Sequence, residues 1–193
     1  AGFRRVKHGG NVSPRLRLLP APEAASVPAR AVSRLDDFFL EFSPVVARLG
    51  LRMLGRPEEV DDLVQDVFLD AYVGFRSIRD PAALRSWVYT IAVRHVRKRL
   101  RRRRLRRFVG LDEVADYSVL TSRDATPEQR TVLAAVFRTL DALPADARIA
   151  WHLHCVERET LPRVAELCGC SRATAHRRIV AAQTAIAEVM GHE

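Results

Sequence analysis

Over residues 35–107 and 126–190 the apolar residues recur at spacings of three and four, and in no segment do they alternate. A period near 3.6 places such residues along one stripe of a helix, whereas alternation would place them on one face of a strand. The chain can therefore bury apolar surface only by packing helix against helix, and the expected fold class is all-α. Leu35, Phe38, Phe39 and Phe42 open the pattern, Ser43-Pro44 interrupts it, and Val45, Val46, Leu49 and Met53 resume it before Gly55-Arg56-Pro57 ends the element. From Pro57 to about Phe75, the residues Val60, Leu63, Val64, Val67, Phe68 and Ala71 share one stripe. Asp80-Pro81 then forms a helix start, a capping Asp followed by a proline at the first helical position, and the helix carries Leu84, Trp87, Val88, Ile91, Ala92 and Val96 inward.

Residues 108–125 have no sustained period and contain scattered acids and a glycine, so they read as a linker. Helix restarts at Thr126-Pro127-Glu128-Gln129, where Thr126 caps and Gln129 completes a capping box. Leu143-Pro144 breaks this helix and opens the next, to about Val156; Thr160 opens a short one to Cys168, and Ser171 caps a last one to about Met190. The expected organisation is two small helical domains, 34–107 and 126–193, joined by a flexible linker over 108–125. Residues 1–33 hold four of the ten prolines and read as a flexible basic tail.

The net charge is +9, but it is unevenly spread. Residues 34–75 carry nine acidic and four basic side chains; residues 76–110 carry thirteen basic and one acidic. Two surfaces of opposite sign suit two partners of opposite sign, with nucleic acid on the basic side. No apolar run follows the N-terminal basic residues and no stretch is apolar enough to span a bilayer, so no membrane partner and a cytoplasmic location are expected. Three cysteines in no framework spacing read as reduced thiols. His152, His154, Cys155, Cys168, Cys170 and His176 match no standard ligand spacing, so no metal and no cofactor are expected. Paired carboxylates, a nucleophile elbow and a phosphate-cradling glycine loop are all missing from the sequence, which argues against an enzyme.

Three constellations carry function. The segment RVAELCGCSRATAHRRIVAAQ reads as a helix-turn-helix, with Ala165 at the crossing, Gly169 in the turn, Ser171 as cap, and Ala175 and Ile179 facing inward. Arg172, Thr174, His176, Arg177 and Arg178 then lie on or near the N-terminal part of the second helix, where such a motif meets base edges and phosphates. The second is RHVRKRLRRRRLRR, ten Arg or Lys among residues 94–107, suited to holding phosphates. The third is an acidic face, Asp61, Asp62, Gln65, Asp66 and Asp70, with no Lys or Arg between Glu58 and Ala71 to neutralise it along the helix. Such a face suits a basic helix of a protein partner.

DDLVQDVFLDAY, then FRSIRDPAALRSWVYTIAVRHVRKRLR, then LDALPADARIAWHLHCVERETLPRVAELCGCSRATAHRRI, in this order and with this gap, resemble the extracytoplasmic-function (ECF) sigma factors of bacterial RNA polymerase. The resemblance spans residues 34 to 190. It implies that Asp61, Asp62, Gln65 and Asp66 contact core RNA polymerase. It also implies that Phe75, Arg76, Asp80, Arg85, Tyr89, Arg94, Arg97 and Lys98 open the minus-10 element and hold it as single-stranded DNA. Arg172, Thr174, His176, Arg177 and Arg178 would read the minus-35 element as duplex DNA. An anti-sigma protein is a further partner that the resemblance allows. The chain departs from the family pattern at Ala175, usually β-branched, at Ala182-Gln183, usually Arg-Ala, and at Glu157-Arg158-Glu159-Thr160 before the helix-turn-helix. A helix-turn-helix regulator acting without polymerase would account for residues 126–190 but would leave DDLVQDVF without a role.

Overall fold

The computed structural model describes residues 35–74, 78, 80, 82–110, 117 and 125–191. Among them every regular element is helical, as the apolar period requires: α1 (Leu35–Leu54), a 3-10 turn (Pro57–Glu59), α2 (Val60–Gly74), α3 (Ala83–Phe108), α4 (Pro127–Ala142), α5 (Ala145–Trp151) continued by a π turn (His152–Val156), α6 (Leu161–Cys168) and α7 (Arg172–Met190). The tail expected over 1–33 and most of the linker expected over 108–125 lie outside the described residues.

One local expectation is corrected. Ser43-Pro44 does not interrupt α1, which runs on through Pro44. Proline removes one helical hydrogen bond, to the carbonyl four residues back. Here that carbonyl belongs to Leu40, which is 70% exposed, so water can take the vacated bond. The apolar residues on either side, Phe38, Phe42, Val46 and Leu49, are all buried on one stripe and hold the helix together across the gap. The third helix is described from Ala83, and Pro81, the expected first helical position, lies outside the described residues. Asp80 still acts as a start signal, since its Oδ1 accepts from the Ala82 N–H at 2.9 Å and its backbone carbonyl from Ala83 N–H at 3.1 Å.

The largest apolar cluster joins Phe38, Val46, Leu49 and Met53 of α1 to Leu63 and Val67 of α2 and to Val88, Ala92 and Val96 of α3, and it continues into Ile149 and Leu153, Val164 and Leu167, and Ala175 and Ile179. The segments expected to form two domains are thus packed on one another through α1, α3, α5 and α6. A second cluster, Val136, Leu140, Trp151, Ala182 and Ile186, ties α4 and α5 to α7. Between α1 and α2 the approach is tight at Gly50, where an added Cβ would stand 2.4 Å from Leu63 Cδ2. Leu63 is fully buried and has nowhere to swing.

Polar groups also cross the junction. Helix α1 ends in carbonyls that no backbone N–H can satisfy. Arg148, from α5, donates its Nε to Met53 O at 3.0 Å and Nη2 to Leu54 O at 3.4 Å, while Arg103, from α3, donates Nη1 to Leu54 O at 2.7 Å. Both guanidiniums are buried, so each has a carboxylate: Glu59 lies 2.8 Å from Arg103 Nε, and Asp141 bonds Arg148. Nearby, Glu157 stands 3.1 Å from Arg52 and 3.6 Å from the buried ring of His152. Burial pushes His152 below its ordinary value. Burial opposes ionisation of Glu157, but His152 and the Arg52 guanidinium prevail and leave its carboxyl below the usual range.

Two outcomes are expected. Gly50→Ala gains about 1 kcal/mol in helix propensity but overpacks Leu63 at a cost of about 1–3 kcal/mol, so its urea midpoint should fall; a raised midpoint shows that α1 and α2 can separate freely. Acidification should weaken the fold in two steps. Below about pH 6.5 the unfolded chain takes up a proton that folded His152 refuses, and below about pH 4.5 Glu157 loses the stability it holds as a carboxylate. His152→Gln should abolish the first step and keep the second, as followed by denaturation across a pH series.

Candidate nucleic-acid interface

The helix-turn-helix forms from local rules. Helix α6 ends at Cys168, and Gly169 takes φ 61° and ψ 43°, the left-handed region. Gly169 N–H donates to Glu166 O at 3.0 Å and Cys170 N–H to Ala165 O at 2.9 Å, which is a Schellman closure. A Cβ at Gly169 would meet nothing within 4 Å, so backbone conformation rather than space favours glycine here. Ser171 then caps α7, its hydroxyl accepting from Thr174 N–H at 3.2 Å. Ala165, Ala175 and Ile179 are buried at the crossing, as the pattern predicts.

Of the five residues assigned to this helix, Arg172, His176 and Arg177 are exposed. Thr174 is half-buried, its hydroxyl 2.9 Å from Ser171 Oγ and 3.4 Å from Arg177 Nη2. Arg178 turns the other way, to Asp146 Oδ2 at 3.3 Å.

Helix α3 distributes its cations over every face. Arg94, at 63% exposure, reaches Asp70 at 2.5 Å, and His95 Nε2 lies 2.8 Å from the same oxygen. The bond from His95, with Arg94 beside it, holds the Asp70 carboxyl below its usual value. Arg99 pairs with Asp66 at 2.8 Å. Arg97 stands 2.9 Å from Asp146 Oδ1 and donates to Cys168 O at 3.0 Å, capping the end of α6. Arg101 lies 3.0 Å from Asp146 Oδ2. Lys98, Arg102, Arg104 and Arg106 are exposed. Arg85 lies over the Tyr89 ring at 5.7 Å, and Tyr89 itself is only 6% exposed, packed in the main core rather than free to stack on a base. Trp87 packs partly buried against the same core, as expected for a core aromatic. Asp80 is exposed and caps Ala82, while Phe75 and Arg76 lie outside the described residues.

The acidic face of α2 splits in two. Asp61, Asp62 and Gln65 are exposed, and no ion pair engages either aspartate among the described residues. Asp66 and Asp70 are compensated from α3. Along the same exposed face, Leu69, Tyr72 and Val73 stand 62%, 61% and 84% exposed.

Sequence reasoning missed Asp146, which gathers Arg97, Arg101 and Arg178, and it missed the burial of Arg103 and Arg148. One signal for Arg103 was available: it falls at the inward position after Val96 and Leu100. Asp146 lies 45 residues from Arg101 and 32 from Arg178, so no local pattern reveals it.

The cysteines are all free. Burial raises the Cys155 thiol and pushes that of Cys168 up to about 11, which keeps both protonated and poor as nucleophiles or metal ligands. Among the described residues, no cluster of three or more His, Cys, Asp or Glu could hold a metal ion, and no helix is long and apolar enough to cross a membrane.

The family model for sigma-70 region 2 matches residues 38–106, which span α1 to α3. The ECF RNA polymerase sigma-E factor of Haemophilus influenzae is 30% identical over 150 residues, covering 73% of this chain and 79% of that protein. The ECF RNA polymerase sigma factor EcfG of Rhodopseudomonas palustris is 30% identical over 158 residues, covering 81% and 84%. Among solved structures, the sigma factor RpoE bound to the anti-sigma factor NepR from Bartonella quintana superposes with a TM-score of 0.62 at 21% identity, over 81% of this chain and 98% of that one. CnrH, solved with the cytosolic domain of CnrY, superposes with a TM-score of 0.56 at 23% identity, over 83% and 92%. With the sigma-70 region 2 model matched over α1 to α3, and two ECF relatives 30% identical over 79% and 84% of their own length, the chain belongs to the ECF sigma factors that serve bacterial RNA polymerase in transcription initiation.

Proposed function

We propose that this sigma factor binds core polymerase through α2, holds the minus-10 element on α3 and reads the minus-35 element with α7. The observation that carries the reading is the outward face at the start of α7. Arg172, His176 and Arg177 stand in solvent while Ala175 and Ile179 on the opposite face are buried, which is the disposition a recognition helix needs to enter a major groove. Thr174 flanks these residues, and Arg178 would join them once released from Asp146.

On α2, Asp61, Asp62 and Gln65 are free to meet a basic helix of polymerase; Asp66 joins them by exchanging Arg99 for a partner's cation. On α3, Arg94 and Lys98 reach solvent and would hold phosphates, with Arg85, Arg97 and Asp80 around them. Phe75 and Arg76 belong to the same proposed surface. Tyr89 could stack on a base only after leaving its buried position. The working units are 34–107 for polymerase and the minus-10 element and 126–193 for the minus-35 element, with 108–125 between them and 1–33 as a basic extension. The factor acts in the cytoplasm by positioning polymerase and trapping open DNA; catalysis belongs to the polymerase. An anti-sigma protein is proposed as a further partner, by analogy with the complex of the Bartonella sigma factor.

Replacing Asp61 and Asp62 together with Lys removes no ion pair of the fold, so helicity by circular dichroism should be retained while affinity for core polymerase falls. Unchanged core affinity sinks the docking assignment. For DNA, Arg177→Ala should cost about 1–3 kcal/mol at the preferred minus-35 sequence and little elsewhere. Replacing Arg102 and Arg104, which are exposed, should weaken all sequences alike and reduce the salt slope by about 0.9 per lost phosphate contact. Holoenzyme binding to matched and scrambled promoters across a salt series measures both. Equal losses on both promoters from Arg177→Ala would make it a phosphate clamp and remove α7 as the reading helix.

A further inference from the structure

Three guanidiniums converge on one carboxylate where α3, α5 and α7 meet. Asp146 has Arg97 at 2.9 Å, Arg101 at 3.0 Å and Arg178 at 3.3 Å, the last two on the same oxygen. Three cations on a single anion exceed what pairing needs and leave a net charge of about +2 in a partly enclosed place. The cluster is open to solvent on the Arg101 side, since Arg101 is 63% exposed while Arg97, Arg178 and Asp146 are 20%, 28% and 21% exposed. Burial opposes the charge of Asp146, yet the bond from Arg101 and the fields of Arg178 and Arg97 prevail and keep it ionised. Arg97 is doubly anchored, because its Nη2 also holds Cys168 O at the end of α6, so this arginine keeps its place without relying on Asp146 alone.

We infer that Arg97, Arg101 and Arg178 form a phosphate-binding site in which the Asp146 carboxylate stands where a phosphate would bind, so that Asp146 competes with DNA for these arginines. The inference rests on the DNA-binding reading above, and it adds a ligand site shared by α3 and α7 together with an internal competitor. A phosphate offers more anionic oxygens than a carboxylate to three donors set in different directions. The competitor is tethered within the fold, so it sets a threshold: only a phosphate delivered at high local concentration, as along a DNA strand, displaces it.

The test uses the full chain, Asp146→Asn and Glu188→Gln. Glu188 is exposed and sits late in α7, so its replacement removes one negative charge without touching the arginines. Scrambled duplex DNA should bind Asp146→Asn more than about threefold tighter than Glu188→Gln, which corrects for the change in net charge. Millimolar inorganic phosphate should raise the melting temperature of Asp146→Asn above that in sodium chloride of equal ionic strength, and the parent should show little difference. Both gains should vanish on adding Arg97→Gln and Arg101→Gln. If Asp146→Asn binds DNA no tighter than Glu188→Gln and phosphate does not stabilise it, the cluster is an ion-pair network of the fold and the inference is wrong. A gain with inorganic phosphate but not with DNA overturns Asp146 as a competitor for DNA and leaves a free-anion site. If neither the parent nor Glu188→Gln binds DNA at low salt, the DNA-binding reading fails, and the phosphate arm still decides whether the arginines take an anion.

Discussion

The carbonyl end of α1 is the point on which the arrangement turns. A helix end carries a partial negative charge and unsatisfied acceptors, and burying it without donors would cost several kcal/mol. Arg103 and Arg148 supply those donors, one from α3 and one from α5, and both are almost fully enclosed. Buried arginine is costly in its turn, so Glu59 and Asp141 are drawn in. The resulting network fixes where α5 sits against the first three helices. Removing one partner from such a buried pair typically costs about 3–5 kcal/mol, far more than an exposed pair contributes. Arg148 is therefore a fold residue, although it lies in the half that carries the helix-turn-helix.

That network explains why the apolar cores merge. Once α5 is held at the end of α1, Ile149 and Leu153 face the main cluster, and Val164 and Leu167 of α6 follow. The helix-turn-helix is thereby carried against α3, which brings Arg97 to the carbonyl of Cys168 and Arg163 Nη2 to Ser86 O at 3.3 Å. In this arrangement the elements that carry the two proposed DNA surfaces are joined, through Arg97 at Cys168 O and through Asp146 between Arg97 and Arg178, rather than standing apart. Engaging both promoter elements at once would require those shared contacts to be exchanged for contacts with DNA.

What was legible in the sequence follows from the range of the forces involved. The Schellman closure at Gly169, the Ser171 cap and the Thr126–Gln129 capping box join residues three to five apart, and each is readable from residue type and spacing. The apolar stripes are equally local, so the inward faces came through. Pro44 misled because the rule that proline breaks helices is local, whereas burial of Phe38, Phe42, Val46 and Leu49 on partner helices is not. The ion pairs were beyond reach for the same reason: Arg94 finds Asp70 at a separation of 24 residues and Arg103 finds Glu59 at 44. Arg172, His176 and Arg177 stand where the motif places them, but Tyr89 and Arg178 are occupied within the fold, and only tertiary packing could reveal that.

The charge asymmetry acquires a structural meaning beside the functional one. Ten cations within fourteen helical residues cannot all face one way, because a helix turns through about 100° per residue. Some must point at neighbouring elements, and those elements must carry acids or be repelled. Asp66 and Asp70 meet Arg99 and Arg94 on the α2 side, Asp146 meets Arg97 and Arg101 on the α5 side, and Glu59 meets Arg103 within. Among the described residues, the solvent face with Lys98, Arg102, Arg104 and Arg106 meets no counter-charge. The acidic block before α3 is thus in part the counter-charge that lets an arginine-rich helix pack at all, a role in which Glu59, Asp66 and Asp70 serve and in which Asp61 and Asp62 have no part among the described residues.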